Sequence, residues 1–131
     1  MGAKSRRKGK GGELEVVSLA KEAGFHEAKR TAPMQAGGYA AEYGDVEIPL
    51  LYSEAKRYRR TPITRLAAEL LATERPGLTS VLFSRDDDRQ WLATLDAREF
   101  LNRHRELLRL RSELLRLRQD LARHEPLTAI P

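Results

Sequence analysis

The chain has 131 residues, of which 40% are hydrophobic and 33% charged, a size and balance that fit one compact domain with room for an extra helix and leave out two full domains. Lys and Arg number 24 against 19 Asp and Glu, a formal net charge of +5. The sequence isoelectric point near 9.8 favours a polyanionic partner, nucleic acid first. With no cysteine and three scattered histidines, a disulfide framework, a thiolate nucleophile and a Cys- or His-rich zinc site drop out, so any metal would be held by carboxylates. No apolar run approaches the roughly 18 residues of a membrane span, and no apolar core follows the basic N-terminus. The expectation is a soluble, cytoplasmic protein with no membrane partner.

Residues 1–11 are dense in Lys, Arg and Gly and read as a flexible basic segment able to lie along a phosphate backbone. A solubilising tail is the competing reading. From Gly12, the recurrence of Leu14, Val17, Ala20 and Lys21 predicts a helix over 12–23 that stops at Gly24. Phe25 to Ala32 reads as a strand, and Pro33, Gly37 and Gly38 mark a loop of small residues. Tyr43 to Ile48 and Leu51 to Tyr58 read as a hairpin turning at Pro49 and Leu50. Thr61 as N-cap and Pro62 at the first helical position open a second helix, with Ile63, Leu66, Ala67, Leu70 and Leu71 on its apolar face and Pro76-Gly77 beyond its end. Leu78 to Phe83 and Gln90 to Leu95 follow as two strands, and Asp96 caps a last helix. The predicted order is α-β-β-β-α-β-β-α.

In the last third, LLRLRSE at 107–113 is nearly repeated as LLRLRQD at 114–120. Leu107, Leu110, Leu114, Leu117 and Leu121 alternate steps of three and four, a coiled-coil seam. Leu101, Leu108, Leu115 and Ala122 widen it on one side, which points to more burial than a two-stranded seam provides. This helix reads as a self-association element, with packing on its own domain as the alternative.

The segment that could carry chemistry is Gly44-Asp45-Val46 followed by Ser53-Glu54-Ala55-Lys56. Alternate strand residues share a face, so Glu54 and Lys56 project together. In a hairpin centred on Pro49 and Leu50, Asp45 stands opposite Glu54. Two facing carboxylates repel unless a cation lies between them. Carboxylate oxygens suit Mg²⁺ or Mn²⁺, and an adjacent ammonium can orient or deprotonate a water or stabilise charge developing on a phosphate. That is a phosphodiester-hydrolysing site in outline; a solvated face with a weak ion pair is the bland alternative. Arg57, Arg59 and Arg60 continue from this strand and, with Lys8 and Lys10, form a candidate phosphate-binding border that gives affinity with little base specificity.

The ordered set of Arg7-Lys8-Gly9-Lys10-Gly11, a helix-borne Glu13, Gly24-Phe25, a basic Lys29 or Arg30, Gly44-Asp45 and Glu54-Ala55-Lys56 resembles the PD-(D/E)xK nuclease superfamily. More closely, it resembles the archaeal-type and phage Holliday junction resolvases, over about residues 8–102. The resemblance implies an α/β restriction-endonuclease-like core, with a mixed central sheet flanked by helices, over 12–102; the leucine-heptad helix and tail at 103–131 rest on periodicity alone. The resemblance also implies a metal site of Glu13, Asp45, Glu54 and the Ala55 carbonyl, with Lys56 acting on the attacking water and Lys29 or Arg30 on a DNA phosphate. Gly44 stands where the family usually has proline, the Asp45 to Glu54 spacing is short, and the terminal helix lies outside the resemblance.

The function so implied is Mg²⁺-dependent cutting of four-way DNA junctions by a homodimer, leaving 5′-phosphate ends, with no small-molecule cofactor. The alternatives are another nuclease of the same core acting on linear, nicked or flapped DNA, and a non-catalytic dimeric DNA-binding protein. His26, His104 and His124 lack partners at metal-binding spacing, Trp91 reads as core, and Asp86 to Asp88 read as a solvated turn.

Overall fold

The computed structural model describes residues 3–31 and 42–124. Helix α1, Ala3–Glu22, is followed by the short strands β1, Lys29–Arg30, and β2, Val46–Glu47, and then by β3, Leu51–Tyr58. Helix α2, Ile63–Leu71, connects β3 to β4, Thr79–Asp86; β5, Leu92–Thr94, and helix α3, Ala97–His124, complete the series. The element order matches the one read from sequence. The chain divides after Asp96 into two units, rather than after residue 102, because α3 is one uninterrupted helix from Ala97.

In the first unit, β3, β4 and β5 form a mixed three-stranded sheet in that order, with β3 parallel to β4 and β4 antiparallel to β5. The parallel pair needs a crossover, which α2 provides. A second, two-stranded antiparallel sheet joins β1 to β2. The apolar faces divide by the strand period of two. Ala55, with Leu51 and Phe83 beside it, packs with Val16, Val17 and Ala20 of α1 and with Val46 and Ile48. Tyr52 and Leu82, on the opposite face, meet Leu66, Leu70, Ile63 and Ala67 of α2. The sheet is thus sandwiched between α1 and α2.

Four local readings change. The segment expected to be flexible is helical from Ala3: its Ala, Arg and Lys residues are good helix formers, which offsets the interspersed glycines. Gly12 earns its place, since a Cβ there would touch the Arg57 Cβ and the Trp91 ring at 3.4 and 3.5 Å. Among the described residues of the 25–32 stretch, Lys29 and Arg30 alone form a strand. Phe25 is instead used to close α1, its N–H donating to the Ala20 carbonyl while the Gly24 N–H donates to Lys21 with Gly24 at φ 107°. That is the left-handed helix end expected at Gly24. The helix cap at Thr61 moves to Pro62, which makes no side-chain cap bond. The Thr61 hydroxyl donates to the Arg85 carbonyl and its N–H donates to Asp86, so Thr61 ties the end of β3 to β4.

The fourth change is the hairpin. The Leu51 N–H donates to the Ile48 carbonyl, closing a four-residue turn with Pro49 second and Leu50 third at φ 64°. This is a type II signature, whose twist splays the flanking chain instead of zipping it. Accordingly β2 pairs with β1, and Gly44 meets Ser53 in a parallel bridge. The loop read at Pro33 to Gly38 lies outside the described residues.

Candidate functional site

Asp45 sits against the free edge of β3. Its N–H donates to the Ser53 carbonyl at 2.7 Å, and its Oδ2 accepts the Ala55 N–H at 3.0 Å. The side chain therefore takes the place of a main-chain acceptor where the parallel pairing stops. Beneath it the Ser53 hydroxyl, fully buried, donates to the Val46 carbonyl at 2.8 Å. Thr31 holds the other side, its N–H and hydroxyl donating to the carbonyls of Asp45 and Gly44. Gly44 has φ 79°, and a Cβ on it would overlap the Ser53 carbonyl oxygen and lie 3.0 Å from its carbon. Proline, held near φ −65°, has no access to this conformation. Gly44 is thus what lets the Asp45 segment approach β3.

Glu54 and Lys56 share the face of β3 that carries Tyr52, in register with Leu82 and Ser84 of β4. Both are half-buried, and among the described residues neither side chain makes a hydrogen bond or ion pair. Ala55 presents its methyl to the α1 side, while its N–H and carbonyl leave from the edge where Asp45 lies. Asp45, Ala55, Glu54 and Lys56 are therefore neighbours on one strand edge and its adjacent face.

Glu13 does not join them. It stands on α1, which covers the opposite face of β3, and its Oε2 accepts from the Arg30 Nε at 2.6 Å with both side chains largely shielded. Strand alternation is the reason: Ala55 faces α1, so Glu54 and Lys56 must face away from it. Among the described residues, no group of three or more His, Cys, Asp or Glu side chains is placed to hold a metal ion. The donors that do lie together, a carboxylate with one oxygen uncommitted, a main-chain carbonyl and a second carboxylate on the next residue, are hard oxygen ligands of the kind Mg²⁺ takes.

The register separates Lys29 from Arg30. Arg30 turns to Glu13, and Lys29 reaches Glu47 across the strand pair at 3.4 Å. The Lys29 side borders a cleft of about 960 Å³ lined by Phe25, His26, Pro49 and Leu50, among others, and by none of Asp45, Glu54 and Lys56. Arg59, Arg60 and Lys10 are exposed without side-chain partners among the described residues, and Lys8 is carried on α1.

Arg57 behaves differently from its neighbours. Its guanidinium meets Glu15 at 3.0 Å and Asp87 at 3.4 Å, and Glu15 also meets Arg85 at 3.3 Å. Trp91 packs on the core beside them, with Arg85 over its ring at 5.8 Å. Asp86 and Asp87 are consequently half-buried structural acids, and only Asp88 of the triplet is solvated. Sequence reading missed this network, although the period of two applied one step beyond Lys56 places Arg57 on the α1 face with Ala55. No family model matches the chain, and neither does any curated protein or solved structure.

Proposed function

We propose that this chain is a Mg²⁺-dependent endodeoxyribonuclease that resolves four-way DNA junctions as a homodimer, built on a restriction-endonuclease-like variant of the α/β core. The observation that carries the reading is the pairing of a fastened carboxylate with two unspent charges. Asp45 is locked to the β3 edge through the Ala55 N–H, and beside it Glu54 and Lys56 are half-buried with no partner among the described residues. Charge is costly to shield from water without compensation, so an acid and an ammonium left in this state are groups kept for a ligand.

Asp45, the Ala55 carbonyl and Glu54 would hold the metal, which when bound supplies charge neutralisation at the phosphate and lowers the pKa of water. Lys56, as an ammonium, would hold the attacking water and offset charge developing on the phosphate. Arg59, Arg60 and Lys10 contact flanking phosphates. Glu13 would act only indirectly, through its ion pair with Arg30. Mn²⁺ substitutes for Mg²⁺ in this donor set.

The test is cleavage of end-labelled immobile junctions beside matched linear duplex and flap substrates, with Mg²⁺ or EDTA, for wild type and Asp45→Asn. Paired symmetric cuts, dependent on Mg²⁺, confined to the junction and lost in the variant while binding persists, are expected. Equal cutting of linear duplex reassigns the chain to a general endonuclease. Tight, salt-sensitive binding with no cutting overturns the enzyme reading in favour of a DNA-binding protein; the ion pair that already occupies Glu13 is the observation on that side.

A further inference from the structure

Helix α3 spans 28 residues and has no buried side chain. Leu107, Leu110, Leu114, Leu117 and Leu121, which fill a and d positions of its heptads from 107 to 121, are between 47% and 74% exposed, with Arg103 at the preceding d position and His124 at the last. Phe100 occupies the preceding a position and stacks on His104. An apolar seam of this length is left uncovered at a cost in water, which association removes.

The positions bordering the seam say what covers it. The g positions are Glu99, Glu106, Glu113 and Asp120, all acidic; the e positions are His104, Arg111 and Arg118, none acidic. In a parallel pair in register, a g residue faces the e residue five places further along the other helix. Glu106 then meets Arg111 of the second copy, and Glu113 meets Arg118, each twice by symmetry. In an antiparallel pair g faces g and e faces e, which sets acid against acid and arginine against arginine. Arg109, at a c position, bonds both Glu106 and Glu113 and lays the two carboxylates along the g edge.

We infer that α3 pairs with α3 of a second copy of this chain as a parallel, two-stranded coiled coil in register. Two strands keep the e and g charges at the rim, whereas assemblies with more strands draw those charges into the interface. The pairing deepens the homodimer of the proposed function and rests on that reading for its use alone; its own grounds are the seam and charges of α3. A parallel pair brings the two Asp96–Ala97 junctions to one end, so that the two copies of the first unit are tethered side by side, as two cuts at one junction require.

The experiment reads association with no DNA and no metal, so its outcome is separate from that of the cleavage assay. Full-length chain at micromolar concentration in sedimentation equilibrium is expected to be a dimer. Glu106→Arg with Glu113→Arg should raise the dissociation constant by about tenfold or more, since four attractive contacts become repulsive. Mixing that variant with Arg111→Glu plus Arg118→Glu should restore a heterodimer, and Trp91 fluorescence checks that the first unit stays folded. Because the chain lacks cysteine, His124→Cys reports orientation. It should cross-link to itself under mild oxidation in a parallel pair, and should not in an antiparallel one, where the two positions are about 30 Å apart. A monomer, a larger assembly, a charge-reversed variant that associates as tightly as wild type, or a dimer without the cross-link overturns the inference.

Discussion

Replacing Gly44 by alanine tests the close approach on which the Asp45 site depends. Two penalties apply at this position and can be sized separately. The backbone sits at φ 79°, where an L-residue is disfavoured by about 1–2 kcal/mol. The new methyl would also lie 3.0 Å from the Ser53 carbon and 3.2 Å from its nitrogen, and closer still to its oxygen. These are backbone atoms of β3, held in register along β4, so they cannot swing aside as a side chain would, and overpacking of this kind costs about 1–3 kcal/mol. Together the loss is about 3 kcal/mol, a large part of the 5–15 kcal/mol that holds a domain of ordinary size. With a urea slope of about 1.5 kcal/mol/M, the unfolding midpoint falls by about 2 M. Trp91, the sole tryptophan, packs on the same core as Ala55 and Val46 and reports the transition by fluorescence. Gly24→Ala is the control, because Gly24 has φ 107° with nothing within 4 Å and suffers the backbone penalty alone. If Gly44→Ala unfolds no earlier than Gly24→Ala, the overlap with Ser53 is not a constraint and the reasoning fails.

The arginines divide by what they already touch. Arg59→Ala and Arg60→Ala should each flatten the salt dependence of DNA binding by about one unit of slope with little loss of stability, whereas Arg57→Ala should chiefly lower the urea midpoint. Equal slopes for all three variants would refute the division. In α3, the hydrogen bond from Arg109 holds the Glu106 carboxyl below its ordinary value, against an opposing desolvation effect, with the charges of Arg109 and Arg105 adding a lesser lowering. A depressed carboxyl stabilises the fold above its unfolded pKa, and that contribution disappears as pH falls through the folded value. The Glu106 carboxyl carbon followed by NMR should therefore titrate lower in wild type than in Arg109→Gln, and identical midpoints would remove the bond as the cause.

Much of this fold is legible because its elements announce themselves locally. The run from Leu51 to Tyr58 reads as the strand it forms, and the apolar spacing from Ile63 to Leu70 gives α2 and the two leucines it buries. Gly24 ends α1 as a left-handed residue should. The misreadings share a cause, which is that pairing partners are set by the turn between segments and not by the segments. Pro49 suggests a hairpin, but a positive φ at Leu50 makes the turn of the splaying kind, and leucine at that position gives no warning of it. The candidate site follows the same rule. That Asp45 and the Glu54 to Lys56 strand come together was readable from their spacing; that they meet through the Ala55 N–H, edge to side chain, depends on the turn. Glu13 was placed by resemblance alone, and the period of two in β3 puts it on the other face.

The same geometry sorts the excess positive charge that composition reports as a single number. Arg30, Arg57 and Arg85 lie where helix α1 covers the sheets, and each is met there by Glu13 or Glu15 at 3.3 Å or less. Shielded guanidinium groups must be paired because their desolvation is otherwise uncompensated, so these three are spent on the fold and offer nothing to a polyanion unless an acid releases them. Lys10, Arg59 and Arg60 stand in water, where an unpaired cation costs nothing. Helix α3 carries further exposed arginines, among them Arg105, Arg111, Arg116 and Arg118, so the charge free to meet a phosphate backbone is spread over both units. Glu54 and Lys56 break this rule. They fall in the same half-buried class as Arg57, yet among the described residues neither makes a hydrogen bond or ion pair, although they sit two residues apart on one face. Under the proposed function, a divalent cation bridging to a phosphate would compensate both at once.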